Sequence, residues 1–398
     1  MAENIVAVTV LGRDRPGIVA DIAKHVARVN GNILDIEQSV VRGLFSMFLL
    51  VDLGKASVDS AAFGRLLAQC AQRLELTASV TPFAEEERGA LERCEHAARY
   101  VATVLGGDKP GIVAAVTGAL FEAGANVERA KMVARGEFIA MEMAVAIPEG
   151  VDAAWVREKL RAAGEAAGVD VVLQPEGASA FRKRLIVFDM DSTVVDGEVI
   201  DEIAKVAGVG EQVAAITARG MEGKMDFKQG LRARVKLLAG LPVEKLEQVR
   251  RDMKLTPGFE ELRGVLKSMG FKLGLVSGGF TYFTEDLKER LGFDYAYANE
   301  LVIRDGKLTG EVAGEIIDSA GKAAILEEIR KKEGLAREEV VAVGDGANDR
   351  IMLKAAGLGI AFNAKEALKK TADGSIAKHN LKGLLYCIGV PKGPDQPR

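Results

Sequence analysis

Asp189 and Asp191 stand one residue apart, directly after the apolar run Leu185-Ile-Val-Phe188, and a Ser-Thr pair follows them. Two carboxylates this close repel each other unless a cation or a shared proton resolves the conflict. The chemistry such a pair supports is metal-assisted and directed at an oxyanion. Three downstream groupings are suited to the same end. Ser277-Gly278-Gly279 combines a hydroxyl with backbone amides that glycine leaves open to a phosphate. Lys322 brings one positive charge near the start of a helix. Gly344-Asp-Gly-Ala-Asn-Asp349 repeats the first arrangement, with Asp345 in permissive backbone and Asn348 and Asp349 behind it. Each grouping alone has an ordinary explanation: an acidic turn, a glycine turn, a solvated lysine. Asp349 equally suits the N-terminal dipole of a helix over 350–356.

These groups need a scaffold that brings them to one place. The apolar runs Leu185–Phe188, Phe271–Val276 and Val340–Val343 read as buried parallel strands. Open α/β sheets hold their ligands at the carboxyl ends of such strands, where Asp189, Ser277-Gly278-Gly279 and Gly344–Asp349 fall. Gly197–Val206 reads as a helix with Asp196 as its N-cap. From there to about Leu255 the chain is helical, charged and free of strand signals, which predicts a helical cap over the site, closed by Pro257-Gly258. Helices over Phe259–Met269 and Ala323–Lys332, a strand over Gly359–Phe362 and C-terminal helices complete this half.

Length and composition bound the rest. At 398 residues the chain exceeds one ordinary core, and 48% hydrophobic with 28% charged residues is a globular mixture. A net charge of −4 gives no pull towards nucleic acid or anionic membrane. Cys70, Cys94 and Cys387 are far apart and form neither a disulfide framework nor a zinc site. None of His25, His96 and His379 falls in the chemical groupings. With no signal-peptide pattern and no apolar run of membrane-spanning length, the expectation is a soluble, cytoplasmic protein.

The first 180 residues contain a repeat. Leu11-Gly-Arg-Asp-Arg-Pro-Gly-Ile-Val-Ala20 matches Leu105-Gly-Gly-Asp-Lys-Pro-Gly-Ile-Val-Ala114, and the register holds to Asn32 and Asn126. Each copy reads strand, helix, two strands, helix, strand, which predicts a ferredoxin-like βαββαβ unit. Asp14 with Gly17, and Asp108 with Gly111, lie at strand-to-helix junctions where free amides can receive an anion or carboxylate. The pattern resembles the ACT family of small-molecule sensing domains, over about residues 4–82 and 99–175. That resemblance implies amino-acid binding near Asp14, Gly17, Asp108 and Gly111, with serine as the natural effector, and pairing into a homodimer. The segment 84–96 reads as a charged helical linker.

Taken in order, Asp-x-Asp-x-Thr, Ser-Gly-Gly, Lys and Gly-Asp-Gly-x-x-Asp resemble the four motifs of the haloacid dehalogenase (HAD) superfamily phosphatases. The domains expected are an ACT-like unit at 1–83, a second at 97–176, and a Rossmann-like doubly wound HAD domain at 183–398 with its cap at about 197–257. The resemblance implies Asp189 as nucleophile and Asp191 as general acid and base. It implies Mg²⁺ held by Asp189, Asp345 and the Asp191 carbonyl, and a phosphoryl group held by Ser277, Gly278 and Lys322. Asp349 would orient Lys322 or a water on the metal. The cap segments Glu198-Val-Ile-Asp-Glu202 and Met221–Leu238 resemble those of superfamily members that hydrolyse O-phospho-L-serine. By that likeness Glu198 meets the substrate ammonium, Arg234 its carboxylate, Met221 and Phe227 close the cavity, and Asn348 contacts substrate or phosphate. The expected activity is release of L-serine, the last step of serine biosynthesis. The rival readings are another small phosphomonoester as substrate, or an amino-acid-sensing regulator with an inert phosphatase half.

Overall fold

In β1 (Ile5–Arg13), Val6, Val8 and Val10 point to one face and are fully buried, as a strand's period of two demands. β2 (Asn32–Val41), β3 (Leu44–Asp52) and β4 (Leu76–Pro82) complete an antiparallel sheet in the order β2-β3-β1-β4. Phe45, Met47, Leu49 and Val51 of β3 share the valine face and form one core with residues of the helices Ile18–Arg28 and Ser60–Arg73. Asp59 caps the second helix by accepting from the Ala62 N–H at 2.6 Å. This is the βαββαβ order that the repeat predicts.

The computed structural model describes residues 4–83, 97–134, 139–177, 182–221, 224–377 and 381–390, and divides at His96 into two units, Met1–His96 and Ala97–Arg398. The expected linker helix over 84–96 lies outside the described residues.

The second unit begins with the other copy of the repeat: β5 (Ala98–Gly106), helix Ile112–Glu122, β6 (Asn126–Ala134), β7 (Ile139–Ile147), helix Ala153–Ala167 and β8 (Val169–Pro175). Gly17 and Gly111 open their helices with matching φ values of 97° and 94°. Seven strands follow: β9 (Leu185–Phe188), β10 (Lys272–Phe280), β11 (Tyr295–Arg304), β12 (Lys307–Ala313), β13 (Val340–Gly344), β14 (Leu358–Phe362) and β15 (Gly374–Ile376). Strands β11, β10, β9, β13, β14 and β15 lie parallel in that order, and β12 adds an antiparallel edge. The hairpin β11–β12 and the three-residue β15 have no counterpart in the sequence reading. β15 is too short for alternation to reveal it, and the sheet it joins defines it.

β15 also pairs antiparallel with β8, through Gly374 and Val172, so one eleven-stranded sheet runs through the whole unit. An open β15 edge would leave backbone groups unpaired, and β8 covers it. Leu105, Ala140 and Val172 enter the same core as Ile186 and Phe188. Polar contacts flank the seam: Arg157 reaches Asp373 at 3.3 Å, and the Gln174 amide donates to the Cys387 carbonyl at 3.0 Å.

The chain between β9 and β10 is helical as expected, with helices Val199–Val206, Gly210–Met221, Phe227–Lys236, Val243–Asp252 and Phe259–Ser268. The first four make the cap. Its base is stitched to β12, where Gly240 N–H donates to the Leu308 carbonyl at 2.8 Å and Leu308 N–H to that of Leu241 at 2.9 Å. Among the described residues no helix is long and apolar enough to cross a membrane.

Candidate active site

β9 pairs in parallel with both β10 and β13, Phe188 standing beside Leu275 and Val343. Pairing of β9 with both neighbours therefore stops at one level, and just beyond it stand Asp189, the irregular Ser277–Gly279 stretch of β10 and Asp345. Four buried apolar residues in β9 hold the Asp189 carboxylate at the edge of a dry core, 3% exposed.

Lys322 organises the centre. It is fully buried one turn into the helix Ser319–Lys332, whose N-cap Asp318 accepts from Ala320 and Gly321 N–H. Its Nζ lies 2.7 Å from Asp189 Oδ1 and 2.7 Å from Asp349 Oδ1. Asp349 Oδ2 accepts from the Gly346 N–H at 3.0 Å, which folds the loop after β13 back on itself. Gly344 permits this fold, because a Cβ there would sit 2.5 Å from the Asp349 carboxyl carbon. Burial alone would lower the Lys322 pKa, but the Asp189 and Asp349 charges hold it above the ordinary lysine value. Asp349, open to a helix-dipole role, to Lys322 or to a water on the metal in the sequence, contacts Lys322.

One cation does not balance the carboxylates. Asp189 is raised well above the usual range, by burial first and then by the charge of Asp349, despite Lys322. Asp345, half-buried, is pushed up to about 7 by burial and by Asp349 and Glu198. Carboxylate oxygens of Asp189, Asp345 and Asp349 lie within 4.8 Å of one another. Lys322 already engages Asp349 and one Asp189 oxygen, so the other Asp189 oxygen and Asp345 are the atoms left for a metal. An all-oxygen set short of positive charge fits a hard divalent cation.

Asp191 points towards the Ser277–Gly279 stretch, where a Cβ on Gly279 would sit 3.1 Å from its Oδ2. Its pKa rises to about 7, through burial first and then the Glu198 charge. Its Oδ1 accepts from Val199 N–H at 2.8 Å. This corrects the expected cap: Asp191, not Asp196, satisfies the first amide of the helix Val199–Val206, because the chain from Ser192 to Gly197 loops back to place them together. Ser277 is fully buried, and its hydroxyl accepts from Gly279 N–H at 2.8 Å. Asn299 pins the loop from below, donating to the Gly278 carbonyl at 2.9 Å and accepting from Ile317 N–H at 2.8 Å. Sequence reading missed Asn299. It lies on β11, whose place beside β10 only the sheet reveals.

The cap reaches the same mouth. A Cβ on Gly278 would sit 2.9 Å from the Phe227 ring, so the ring lies directly over the Ser277–Gly279 stretch. Lys228, next to Phe227, ties the cap to the core through Asp318 at 3.1 Å. Arg234 is half-buried, and burial lowers its pKa against the pull of Asp201, Glu198 and Asp191, so it senses the site's acids. Glu198 is exposed and accepts from the Ser192 hydroxyl at 3.1 Å. Asn348 folds over Gly346 at the loop after β13. The Met221 side chain lies outside the described residues.

The ACT-type turns form a separate locus in each repeat. Asp14 and Gly17 line a concavity of about 350 Å³ with Arg15, Gln38, Val40 and Phe45 in the first unit. Asp108 and Gly111 occupy the matching turn between β5 and the helix Ile112–Glu122.

A doubly wound sheet with carboxylates and a buried lysine at its mouth, under a helical cap, defines a capped hydrolase of the phosphoryl-transfer kind. The profile of haloacid dehalogenase-like hydrolases matches residues 183–357, and that of the ACT domain matches 4–81 and 99–174. A phosphoserine phosphatase of Archaeoglobus fulgidus is 49% identical over 348 residues, covering 87% of this chain and 98% of that protein. One of Streptomyces coelicolor is 39% identical over 97% of this chain and 92% of its own. The solved structure of a probable phosphoserine phosphatase from Vibrio cholerae superposes with a TM-score of 0.56, at 35% identity over 73% of this chain and 87% of that one. The chain belongs to the phosphoserine phosphatase family of haloacid dehalogenase-like hydrolases and carries two ACT domains.

Proposed function

We propose that this chain hydrolyses O-phospho-L-serine to L-serine and phosphate with Mg²⁺ as its cofactor. The observation that carries the reading is the buried Lys322 between Asp189 and Asp349, at the common end of three parallel strands and under a cap bearing Glu198 and Arg234. Asp189 attacks phosphorus through a carboxylate oxygen, the bond to the serine oxygen breaks, and an aspartyl-phosphate forms. Asp191 gives its proton to the departing serine oxygen, a role that a pKa of about 7 supports. It then takes a proton from the water that attacks phosphorus, which frees phosphate and restores Asp189. Ser277, the Gly278 amide and Lys322 hold the phosphoryl oxygens. Asp189, Asp345 and the Asp191 carbonyl would hold Mg²⁺, which would supply the charge that lets an anionic nucleophile meet an anionic substrate.

Glu198 takes the ammonium and Arg234 the carboxylate of the substrate, since a zwitterion needs one acid and one base held apart. Phe227 and Met221 close the cavity, and Asn348 borders the phosphate. In the cell this is a cytoplasmic step that yields serine. An amino acid, serine first among candidates, binds at Asp14 and Gly17, or at Asp108 and Gly111, in a homodimer. Phosphate release from L-phosphoserine tests the core of this. Turnover requires Mg²⁺, stops with EDTA, and stops in Asp189→Asn; turnover that survives either change refutes it.

A further inference from the structure

Ser192 lies between the two residues that matter most for proton transfer and substrate choice, and neither motif nor mechanism uses it. Its φ is +54°, a left-handed conformation that serine rarely adopts and glycine adopts freely. Its N–H donates to the Gly197 carbonyl at 3.0 Å, closing a tight loop from 192 to 197. Asp191 precedes that loop and Glu198 follows it. The Ser192 hydroxyl crosses the gap to Glu198 Oε1 at 3.1 Å. Glu198 occupies the N-cap position of the helix Val199–Val206 but makes no side-chain cap bond. Among the described residues, the Ser192 hydroxyl is the one hydrogen-bond donor on that exposed carboxylate.

We propose that Ser192 is a positioning residue: its hydroxyl fixes the Glu198 carboxylate so that the free oxygen faces the substrate's ammonium group. This deepens the phosphoserine reading and rests on it. A long, exposed glutamate otherwise samples many rotamers and must be ordered again at each binding event. Backbone geometry alone would favour glycine here, so the side chain is the reason for tolerating a left-handed serine. The loop also fixes the span between the proton donor Asp191 and the ammonium acceptor, since Asp191 Oδ1 holds the Val199 N–H at its far end.

The test measures kcat and KM with Mg²⁺ for L-phosphoserine and for p-nitrophenyl phosphate, together with inhibition by 3-phosphoglycerate, which carries a hydroxyl where phosphoserine has its ammonium. Ser192→Gly deletes the hydroxyl and eases the backbone; Ser192→Ala deletes it and strains the backbone further. Both raise the KM for phosphoserine by about three- to tenfold, the loss expected for one net hydrogen bond at a solvent-exposed site. The kcat for phosphoserine, p-nitrophenyl phosphate turnover and 3-phosphoglycerate inhibition stay within about twofold of wild type. An unchanged phosphoserine KM in Ser192→Gly overturns the inference, as does a parallel fall in p-nitrophenyl phosphate turnover, which would mark the loop as support for Asp191 alone. A wild-type protein that does not turn over phosphoserine overturns the functional reading and this inference with it.

Discussion

Replacing Asp345 with asparagine should stabilise the metal-free protein at pH 8 while abolishing its activity. Asp345 is pushed from 3.8 up to about 7 by burial and by neighbouring acids. Its folded pKa thus lies above its unfolded one, so the native state holds the extra proton between those values. The stability this contributes is complete below about pH 4 and is lost as pH rises through about 7. Carried by Asp345 alone, the displacement would be worth about 4 kcal/mol. Solvent reaches this half-buried group and the repulsion is shared with Asp349 and Glu198, so about 1–2 kcal/mol is the expected gain for Asp345→Asn at pH 8. Urea unfolding of both proteins in EDTA, at pH 5 and pH 8, measures it. The variant's midpoint should exceed wild type at pH 8 and approach it at pH 5. Adding Mg²⁺ at pH 8 should raise the wild-type midpoint by mass action and leave the variant almost unmoved. A variant less stable than wild type at pH 8 in EDTA, or one stabilised equally by Mg²⁺, would refute the account of Asp345 as an uncompensated metal-facing carboxylate.

Lys322→Met leaves Asp189 and Asp349 buried without their shared cation, and should cost about 3–5 kcal/mol of stability and at least a hundredfold in kcat. Thermal melting with and without Mg²⁺, beside phosphate release, checks both. Lys228→Ala removes the tether from cap to Asp318; an exposed pair of this kind is worth about 0.5 kcal/mol, so KM should rise about twofold and its salt dependence shrink. A salt dependence equal to wild type would mean the pair does not hold the cap. Val172→Asp puts an unpaired charge into the fully buried seam between β8 and β15, and should cost phosphatase stability although it lies in the ACT repeat. Equal proteolytic resistance of the phosphatase half in variant and wild type would show that the seam is not structural.

Most of the elements, and the residues gathered at the mouth of the sheet, were legible because their signals are local. Apolar runs of four to six residues ending in Asp or Ser mark buried strands with polar mouths, and the duplicated turn at Gly17 and Gly111 recurs with the same backbone angle. Alternating residues such as Val6, Val8 and Val10 mark a sheet with one covered face. What these patterns could not show was which side chain faces which. Asp196 looked the natural cap for its helix, yet Asp191 takes that role, because a six-residue loop reverses the chain. Asn299 and Ser192 have no signature of their own, since a hydrogen bond between residues on different strands or across a loop leaves no period in the sequence.

The sequence by itself determined the candidate reacting groups, the buried strands β9, β10, β13 and β14, and the presence of a helical cap, since each follows from residue type and short-range spacing. Only the tertiary structure decided that β8 closes the β15 edge, that Lys322 holds Asp349 as well as Asp189, and that Phe227 lies against Gly278. The physical reason is the same in each case. Covering an open sheet edge, pairing buried charges and excluding water depend on surfaces meeting across long stretches of chain, and those meetings form only when the whole unit packs.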